Sequence, residues 1–356
     1  MKKYGKGIAA MFYPIGGTSY ANAGSAFIKV NPDGTAILYV GTTEIGQGSV
    51  TAMAQIAAEE LGIKFEDVAV VASDTKLTPF DFGPGASRTT YILGNAVQRA
   101  AAKAKEILLE VAAEDLQVSP SGLAAKEGYI YVLGFPERRI AISQVADKAQ
   151  NGKGRPPIGA GTFNPVTTGL DKDTGHGKPF GTYVFATQIA EVEVDTETGV
   201  VEVLRITAVH DCGKAINPLL TEGQVEGGVA MGLGFGLMEQ MVVDHGRVKN
   251  PQLTDYIVPT AMDVPTIITK LVERPEPTGA FGAKGIGEPS LLPTAPAIVN
   301  AIQDAVGVRL RDLPVTPEKV LQALEEKAQG KPYNVIVTRK NPKAEAPQPR
   351  EVVLSQ

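Results

Sequence analysis

Residues 26–48 read AFIKVNPDGTAILYVGTTEIGQG and contain three local patterns in succession. Two short apolar runs, 26–30 and 36–40, flank the turn sequence Asn31-Pro32-Asp33-Gly34, which predicts a β-hairpin. The second run leads into a loop with glycines at 41, 46 and 48. A helix is predicted next and should end at Gly62, because apolar residues recur at helical spacing: Val50, Met53, Ala54, Ala57 and Leu61.

The same order of hairpin, glycine-containing loop and helix recurs about 160–175 residues later. Runs 186–194 and 200–208 predict a second hairpin around the turn 195–199. The second run enters the loop 210–218, and a helix rich in small residues is predicted from about 222 to 241. A strand at 68–71, a long helix whose buried stripe runs from Val97 to Val111, and helices over about 293–306 and from Thr316 complete the pattern. The chain is therefore expected to contain two similar units.

From this pattern we expect an α+β fold of two similar lobes, each built from β-hairpins or mixed sheet with packed helices. The first lobe is predicted over 1–150 and the second over 181–330. Residues 151–180 are rich in glycine, proline and threonine and are expected to form a linker or a crossing segment. Residues 331–356 are polar and contain several prolines, which predicts an extended tail.

Composition excludes several classes of function. The 356-residue chain has 43% hydrophobic residues and a formal charge of −5 without a basic block, which favours a globular protein and excludes a nucleic-acid partner. Its single cysteine and three scattered histidines offer neither an internal disulfide nor a metal-ligand cluster. No apolar run has the length of a membrane span or a signal peptide, so we expect a cytoplasmic protein.

The segment Gly282–Ser290, GAKGIGEPS, combines glycines with one acid. Glycines let backbone approach a ligand closely, and Pro289 restricts the backbone of Glu288. A fixed carboxylate at the end of an accessible loop suits a general base. The alternative interpretation is a solvated loop with an incidental glutamate.

Other loops carry polar groups of the same kind. Gln47 lies between two glycines, and Ser87, Arg88 and Thr89 precede the long helix. Free N–H groups at helix N-termini suit anionic or phosphate-bearing ligands; the alternative for each loop is hydrogen bonding within itself. Gln224 lies on the helix of small residues, which must pack closely against another helix or a cofactor. Neither a dinucleotide-binding motif nor a P-loop occurs.

Five segments, taken together and in order, resemble the molybdopterin-binding part of the molybdenum hydroxylases, the family of xanthine dehydrogenase, aldehyde oxidase and nicotinate dehydrogenase. The segments are Gly41–Gly48, Gly85–Thr90, Asp211–Pro218, Gly223–Gly228 and Gly285–Pro289. The resemblance covers about residues 5–325. It implies a molybdopterin-binding domain of the xanthine dehydrogenase type.

The resemblance also implies roles for individual residues. Glu288 matches the active-site base, and Gln47 matches the glutamine beside the metal. Contacts with the cofactor are implied for Ile45, Gly46, Gln47, Gly48, Ala86, Ser87, Arg88, Thr89, Asn217, Gln224, Lys284, Gly285 and Gly287. Substrate contacts are implied for Met11, Phe12 and Tyr13. Molybdenum is held by the dithiolene of the cofactor, so no protein side chain is expected to ligate it.

The implied reaction is hydroxylation of an electron-poor carbon of an N-heterocycle or an aldehyde, with oxygen from water. The implied cofactor is molybdopterin with molybdenum, as the cytosine dinucleotide, and electrons pass to partner subunits that carry 2Fe–2S clusters and FAD. Two alternatives remain: reductive dehydroxylation of an aromatic acyl thioester, and a non-catalytic subunit that holds or matures the cofactor.

The resemblance is to the C-terminal half of the usual large subunit, without the earlier half and its Phe-Gly-Gly loop. A second molybdopterin-binding chain is therefore expected to supply the N-terminal half, as in the medium subunit of nicotinate dehydrogenase. The expected assembly is a dimer of heteromers that acts on a small molecule.

Overall fold

The computed structural model describes residues 1–17 and 22–330, so the predicted tail 331–356 lies outside the described residues. The strands are β1 (Lys2–Pro14), β2 (Gly24–Val30), β3 (Ala36–Val40), β4 (Val68–Ala72), β5 (Leu123–Lys126), β6 (Tyr129–Val132), β7 (Phe135–Ala141), β8 (Ile158–Phe163), β9 (Tyr183–Asp195), β10 (Val201–Asp211), β11 (Val243–Asp244), β12 (Arg247–Val248) and β13 (Thr266–Val272). The helices are α1 (Ser49–Leu61), α2 (Gly94–Leu116), α3 (Ile142–Asp147), α4 (Pro218–Leu237), α5 (Thr294–Val306) and α6 (Pro317–Ala328).

Two four-stranded sheets share one topology. The first has the order β4-β3-β2-β8, in which β2 runs antiparallel to both neighbours and β3 runs parallel to β4. The second has the order β1-β9-β10-β13, in which β9 runs antiparallel to both neighbours and β10 runs parallel to β13. The predicted α+β fold with two similar lobes is confirmed.

Corresponding helices complete each lobe, which we define by its sheet. In the first lobe, α1 connects the parallel strands β3 and β4, and α2 packs on β2 and β8. In the second lobe, α4 connects β10 and β13, and α5 packs on β1 and β9. Each lobe thus has its own apolar core between sheet and helices.

In each lobe, two glycines let the edge strand lie directly on the backbone of its helix. A Cβ atom at Gly159 or Gly161 would lie 1.9 or 2.2 Å from a carbonyl oxygen of α2. A Cβ atom at Gly5 or Gly7 would lie within 2.2 Å of the backbone of α5. The helix residues that face these glycines are alanines at every fourth position, Ala96, Ala100 and Ala104 on α2 and Ala297, Ala301 and Ala305 on α5. The two lobes therefore use one packing arrangement.

This packing explains where the predicted organisation differs from the structure. β1 was not predicted as a strand, and its glycines at positions 5 and 7 are set by contact with α5. β1 belongs to the second sheet although it lies within the predicted unit 1–150. β8, within the predicted linker 151–180, is an edge strand of the first sheet. The second lobe therefore takes its edge strand β1 from the N-terminal end of the chain, whereas the first lobe takes its edge strand β8 from the segment that directly follows it.

The helix predicted from about 222 begins earlier, at Pro218. The side chain of Asn217 accepts a hydrogen bond from the backbone N–H of Leu220 at 3.0 Å, and proline is favoured at the first helical position. No helix in the ranges 1–17 and 22–330 has the length and apolar character needed to cross a membrane.

Candidate functional site

Four loops, which follow corresponding strands of the two lobes, enclose a cavity of about 320 Å³. They follow β3 and β4 in the first lobe and β10 and β13 in the second. The predicted site residues on the cavity wall are Ile45, Gln47, Gly48, Ser87, Thr89, Asn217, Gln224, Lys284, Gly285, Gly287 and Glu288. The volume lies in the range of small-molecule sites. The structure thus brings most of the predicted residues together.

Glu288 is exposed to the cavity and is held by the loop of the other lobe. The Ser87 hydroxyl donates to its Oε2 at 2.5 Å, and the Ala86 N–H donates to its Oε1 at 3.1 Å. In return, the Glu288 N–H donates to the Ser87 Oγ at 3.1 Å. A carboxylate has about four acceptor positions, so roughly two remain for other donors. This carboxylate is fixed in direction and still able to take a proton.

The contact between these loops requires unusual backbone. Ala86 and Ser87 both adopt left-handed conformations, with φ of 50° and 51°, which cost about 1–3 kcal/mol each in residues with a side chain. Opposite them, a Cβ atom at Gly285 would lie 1.7 Å from the Ser87 carbonyl oxygen. Only glycine fits at that position. Strain and close approach coincide at the carboxylate, which marks this contact as a candidate functional feature.

Hydrogen-bond donors line the wall next to Glu288. The backbone N–H groups of Gly285, Ile286 and Gly287 have no hydrogen-bond partner among the described residues, and neither does the side-chain amide of Gln224. The N-terminal ends of α1 and α4 also reach the cavity. The unpaired donors favour an anionic or acceptor-rich ligand.

Gln47 lines the cavity, but its amide is bound within its own loop. Its Oε1 accepts from the Ile45 N–H at 2.6 Å, and its Nε2 donates to the Thr43 carbonyl and the Ser49 hydroxyl, each at 2.9 Å. The alternative interpretation of loop-internal hydrogen bonding therefore holds for this amide.

Sequence analysis missed Glu44, which organises the same loop. Its carboxylate accepts from the backbone N–H groups of Gly46, Gly48 and Val50, and from the Ser49 hydroxyl. Burial raises the pKa of Glu44, but these hydrogen bonds outweigh burial and leave the pKa below its ordinary value. An acid shortly before a predicted helix N-terminus was the available signal.

The prediction that Arg88 contacts the cofactor is wrong for its guanidinium. Arg88 is fully buried and does not line the cavity. It donates to the Asp81 carboxylate at 2.6 Å, to the Asn22 side chain, and to three backbone carbonyls, of Asn22, Ala23 and Gly83. With its donors committed, Arg88 shapes the loop from inside and leaves Ser87 to face Glu288.

Lys284 and Asn217 reach the cavity wall while bracing the second lobe. The Lys284 ammonium donates to Asp211 at 2.7 Å and to the Tyr183 carbonyl at 3.0 Å. Asn217 caps α4 and donates through its amide to Gln55 of α1 at 3.1 Å. Both side chains therefore hold loops in place, and Asn217 joins the two lobes.

The predicted substrate residues Met11, Phe12 and Tyr13 do not line the cavity. They lie on β1, and the Phe12 side chain is 67% exposed beside the rings of Tyr183 and Phe185, with centroids at 6.1 and 6.5 Å. Met11 packs on a small core cluster. They therefore contribute nothing to the wall of this cavity, and their contact with a substrate stays a prediction.

Cys212 lies on the cavity wall, and its side chain is buried. Burial raises the pKa of the Cys212 thiol to about 11, so the thiol is a poor nucleophile. In the part of the chain that the structure describes, no group of three or more His, Cys, Asp or Glu side chains could hold a metal ion.

Comparison with known proteins gives a consistent family. Residues 1–265 match the family model of the molybdopterin cofactor-binding domain. The putative xanthine dehydrogenase molybdenum-binding subunit of Escherichia coli K12 is 37% identical over 327 residues, which make up 89% of this chain and 42% of that protein. The nicotine 6-hydroxylase large subunit of Paenarthrobacter nicotinovorans is 36% identical over 304 residues, 84% of this chain and 36% of that protein.

Solved structures agree. Quinoline 2-oxidoreductase from Pseudomonas putida 86 superposes with a TM-score of 0.82 at 29% identity, over 91% of this chain and 42% of the other. Aldehyde oxidoreductase from Desulfovibrio gigas gives 0.75 at 31% identity, over 91% and 33%. The chain thus spans about two fifths of the length of the curated relatives it matches.

Proposed function

The chain belongs to the molybdopterin cofactor-binding domain family, and on that premise we propose that it contributes one wall of the active site of a molybdenum-dependent hydroxylase. The observation that carries the proposal is the Glu288 carboxylate, which the Ser87 loop holds in a cavity whose wall presents unpaired hydrogen-bond donors. A general base needs a fixed direction and access to its proton donor.

The residues on the cavity wall fit a molybdopterin. Its phosphate and its acceptor-rich ring suit the unpaired N–H groups of Gly285, Ile286 and Gly287 and the Gln224 amide. A dinucleotide form would place a second phosphate against such donors. When bound, the cofactor supplies the molybdenum and its two-electron redox chemistry.

The side chains around the cavity then have distinct tasks. Glu288 accepts a proton through the acceptor positions that Ser87 and Ala86 leave open. The loop 41–48, held by Glu44, and the loop 285–287 position the cofactor by their backbone. The substrate is an electron-poor N-heterocycle or an aldehyde, the classes in the names of the nicotine, quinoline and aldehyde enzymes above.

Further polypeptide completes the site in this proposal. Glu288 is exposed, and the predicted substrate residues lie off the cavity, so the remaining wall comes from a second molybdopterin-binding segment. Relatives include proteins named as large subunits and large chains. Partner subunits with 2Fe–2S and FAD would carry electrons away, and the proposed assembly is a cytoplasmic dimer of heteromers.

The test uses the complex purified through a tag on this chain. Molybdenum is measured by mass spectrometry, pterin by fluorescence after oxidation, and turnover with an artificial electron acceptor against purines, pyridines and aldehydes. We expect about one molybdenum and one pterin per chain, and activity on at least one class. A complex that holds neither would overturn the proposal. One that holds cofactor, oxidises none of these substrates and reduces an aromatic acyl thioester when a reduced dye is the electron donor would select the alternative reaction.

A further inference from the structure

Behind the Glu288 loop, four polar side chains form a fully buried network: Gln188, His210, Ser290 and Thr294. Gln188 and His210 project from the central strands β9 and β10, Ser290 follows Glu288 by two residues, and Thr294 begins α5. Burying polar groups costs free energy unless they are hydrogen-bonded. A network of this kind at the base of a candidate active-site loop therefore needs an explanation.

Three contacts fix the Gln188 amide. Its Nε2 donates to the Ser290 carbonyl oxygen at 2.8 Å and lies 3.2 Å from the Nε2 of His210, while its Oε1 accepts from the Thr294 hydroxyl at 2.7 Å. Rotating the amide by 180° would place its oxygen against the Ser290 carbonyl oxygen. One orientation is therefore strongly preferred, and it aims a donor at Ser290.

His210 supports this orientation as a neutral ring. Burial lowers the pKa of His210 to about 4, so at neutral pH its Nε2 can accept the second Gln188 proton. The Nδ1 atom of His210 is buried and has no hydrogen-bond partner among the described residues. Among the described residues, the His210 ring therefore hydrogen-bonds to Gln188 alone. Burying the unpaired Nδ1 atom costs free energy, which an apolar side chain at this position would avoid.

From Ser290, the contacts lead back to the carboxylate. The Ser290 hydroxyl donates to the Gly287 carbonyl at 2.7 Å, and the Leu291 N–H donates to the Glu288 carbonyl at 3.1 Å. On the other side, α4 leaves no free space, because a Cβ atom at Gly228 would lie 2.1 Å from the Ser290 Oγ. Ser290 is therefore held between α4 and Gln188, and residues 287–291 form one tight turn around it.

We propose that Gln188 is a positioning residue, which sets the direction of the Glu288 carboxylate by holding the Ser290 carbonyl. The inference rests on the proposed role of Glu288 as the base. The first lobe supports it by contrast, since the inward side chains of β2 and β3 are all apolar. The polar network occurs in the lobe whose loop carries the acid.

The test compares Gln188→Met, which keeps side-chain length and removes the hydrogen bonds, with Ile302→Ala, which removes buried volume from α5 away from the network. Amide hydrogen exchange of residues 286–291 is measured by mass spectrometry in the purified complex, alongside kcat, KM and the melting temperature. For Gln188→Met we expect exchange at 286–291 to rise about tenfold or more, and kcat to fall about 10- to 100-fold with KM within about twofold of wild type.

The control is expected to lower the melting temperature without changing exchange at 286–291 or kcat. Equal changes in both variants would overturn the inference, since Gln188 would then be ordinary core. Should Gln188→Met fail to assemble, Thr294→Val, which releases the Oε1 atom of Gln188, carries the test: we expect faster exchange at 286–291, and unchanged exchange refutes the proposal. A fully active Glu288→Gln variant would remove the proposed function itself, whereas unchanged exchange removes only the role of Gln188.

Discussion

In the first lobe, the inward side chains of the central hairpin are all apolar, whereas the second lobe places Gln188 and His210 on the corresponding face. The scaffold is otherwise shared, down to the glycine pairs of the edge strands and the alanines they face. The loops differ as well: the second lobe presents Glu288, and the first presents the Ser87 and Ala86 donors that hold it. A duplicated scaffold thus supports two unlike halves of one site.

Each lobe also holds its loops with a buried ion pair, Arg88–Asp81 in the first lobe and Lys284–Asp211 in the second. Replacing the cation of such a pair should have the largest effect on the free energy of unfolding. Arg88→Met leaves the fully buried Asp81 without its partner, so we expect the free energy of unfolding to fall by about 3–5 kcal/mol. Lys284→Met should cost less, because Lys284 and Asp211 keep 8% and 13% of their side-chain exposure. Urea denaturation of both variants measures the order, and a smaller loss for Arg88→Met would contradict this account of the loops.

The shared glycine packing predicts equal effects in the two lobes. Gly161→Ala and Gly7→Ala each place a Cβ atom within 2.2 Å of helix backbone, and we expect each to lower the free energy of unfolding by about 1–3 kcal/mol or more. Gly169→Ala is the matched control, since a Cβ atom there meets no atom within 4 Å. If only one of the two edge strands tolerates alanine in thermal unfolding, the packing is not equivalent.

Buried His210 should make the second lobe sensitive to acid. Its folded pKa of about 4 lies below the unfolded value near 6.5, so below pH 6.5 the unfolded chain takes up a proton that the folded protein excludes. The contribution of neutral His210 to the free energy of unfolding is therefore fully present above pH 6.5, and about 2 kcal/mol of it is lost between pH 8 and pH 5. His210→Asn should remove this part of the pH dependence, and the exposed His245→Asn should leave it intact. The free energy of unfolding of each variant is measured by urea denaturation between pH 5 and pH 8. The same dependence on pH in His210→Asn and wild type would refute the assignment.

The smallest effects concern the helices that leave the two loops. Glu44 accepts from the Val50 N–H at the start of α1, and Asn217 accepts from the Leu220 N–H at the start of α4. We expect Glu44→Ala and Asn217→Ala each to cost about 1 kcal/mol. Because the pKa of Glu44 is lowered by its hydrogen bonds, its contribution should be present above its ordinary pKa and disappear as the pH falls through the folded value. A Glu44 contribution that does not decrease as the pH is lowered would contradict this.

Local patterns were enough to predict both hairpins, α1, α2 and the α+β class, since turn residues and periodicity lie within each element. β1 and β8 were not predicted as strands, because their glycines are explained only by helices that lie far away in sequence. The position of β1 in the second lobe, far from that lobe in sequence, has the same cause.

The site residues, too, were predicted where the signal was local and missed where it depended on distant parts of the chain. Loop glycines and Glu288 were found from the sequence, and the structure brings them together. Arg88 was assigned to the cofactor because a loop arginine suggests an anion site, yet its partners lie at 22–23 and 81–83. Gln188 gave no signal, since a polar residue in an alternating strand is expected to face solvent.

The central claim is that the second lobe supplies the base and the first lobe holds it. The most direct measurement is kcat of the assembled enzyme with Glu288→Gln, with molybdenum content measured on the same sample. The exposed Glu222→Gln on α4 is the matched control. The account predicts a loss of about 10²–10⁴-fold in kcat at unchanged molybdenum content, with the control near wild type. A Glu288→Gln enzyme within a few-fold of wild-type kcat would contradict it.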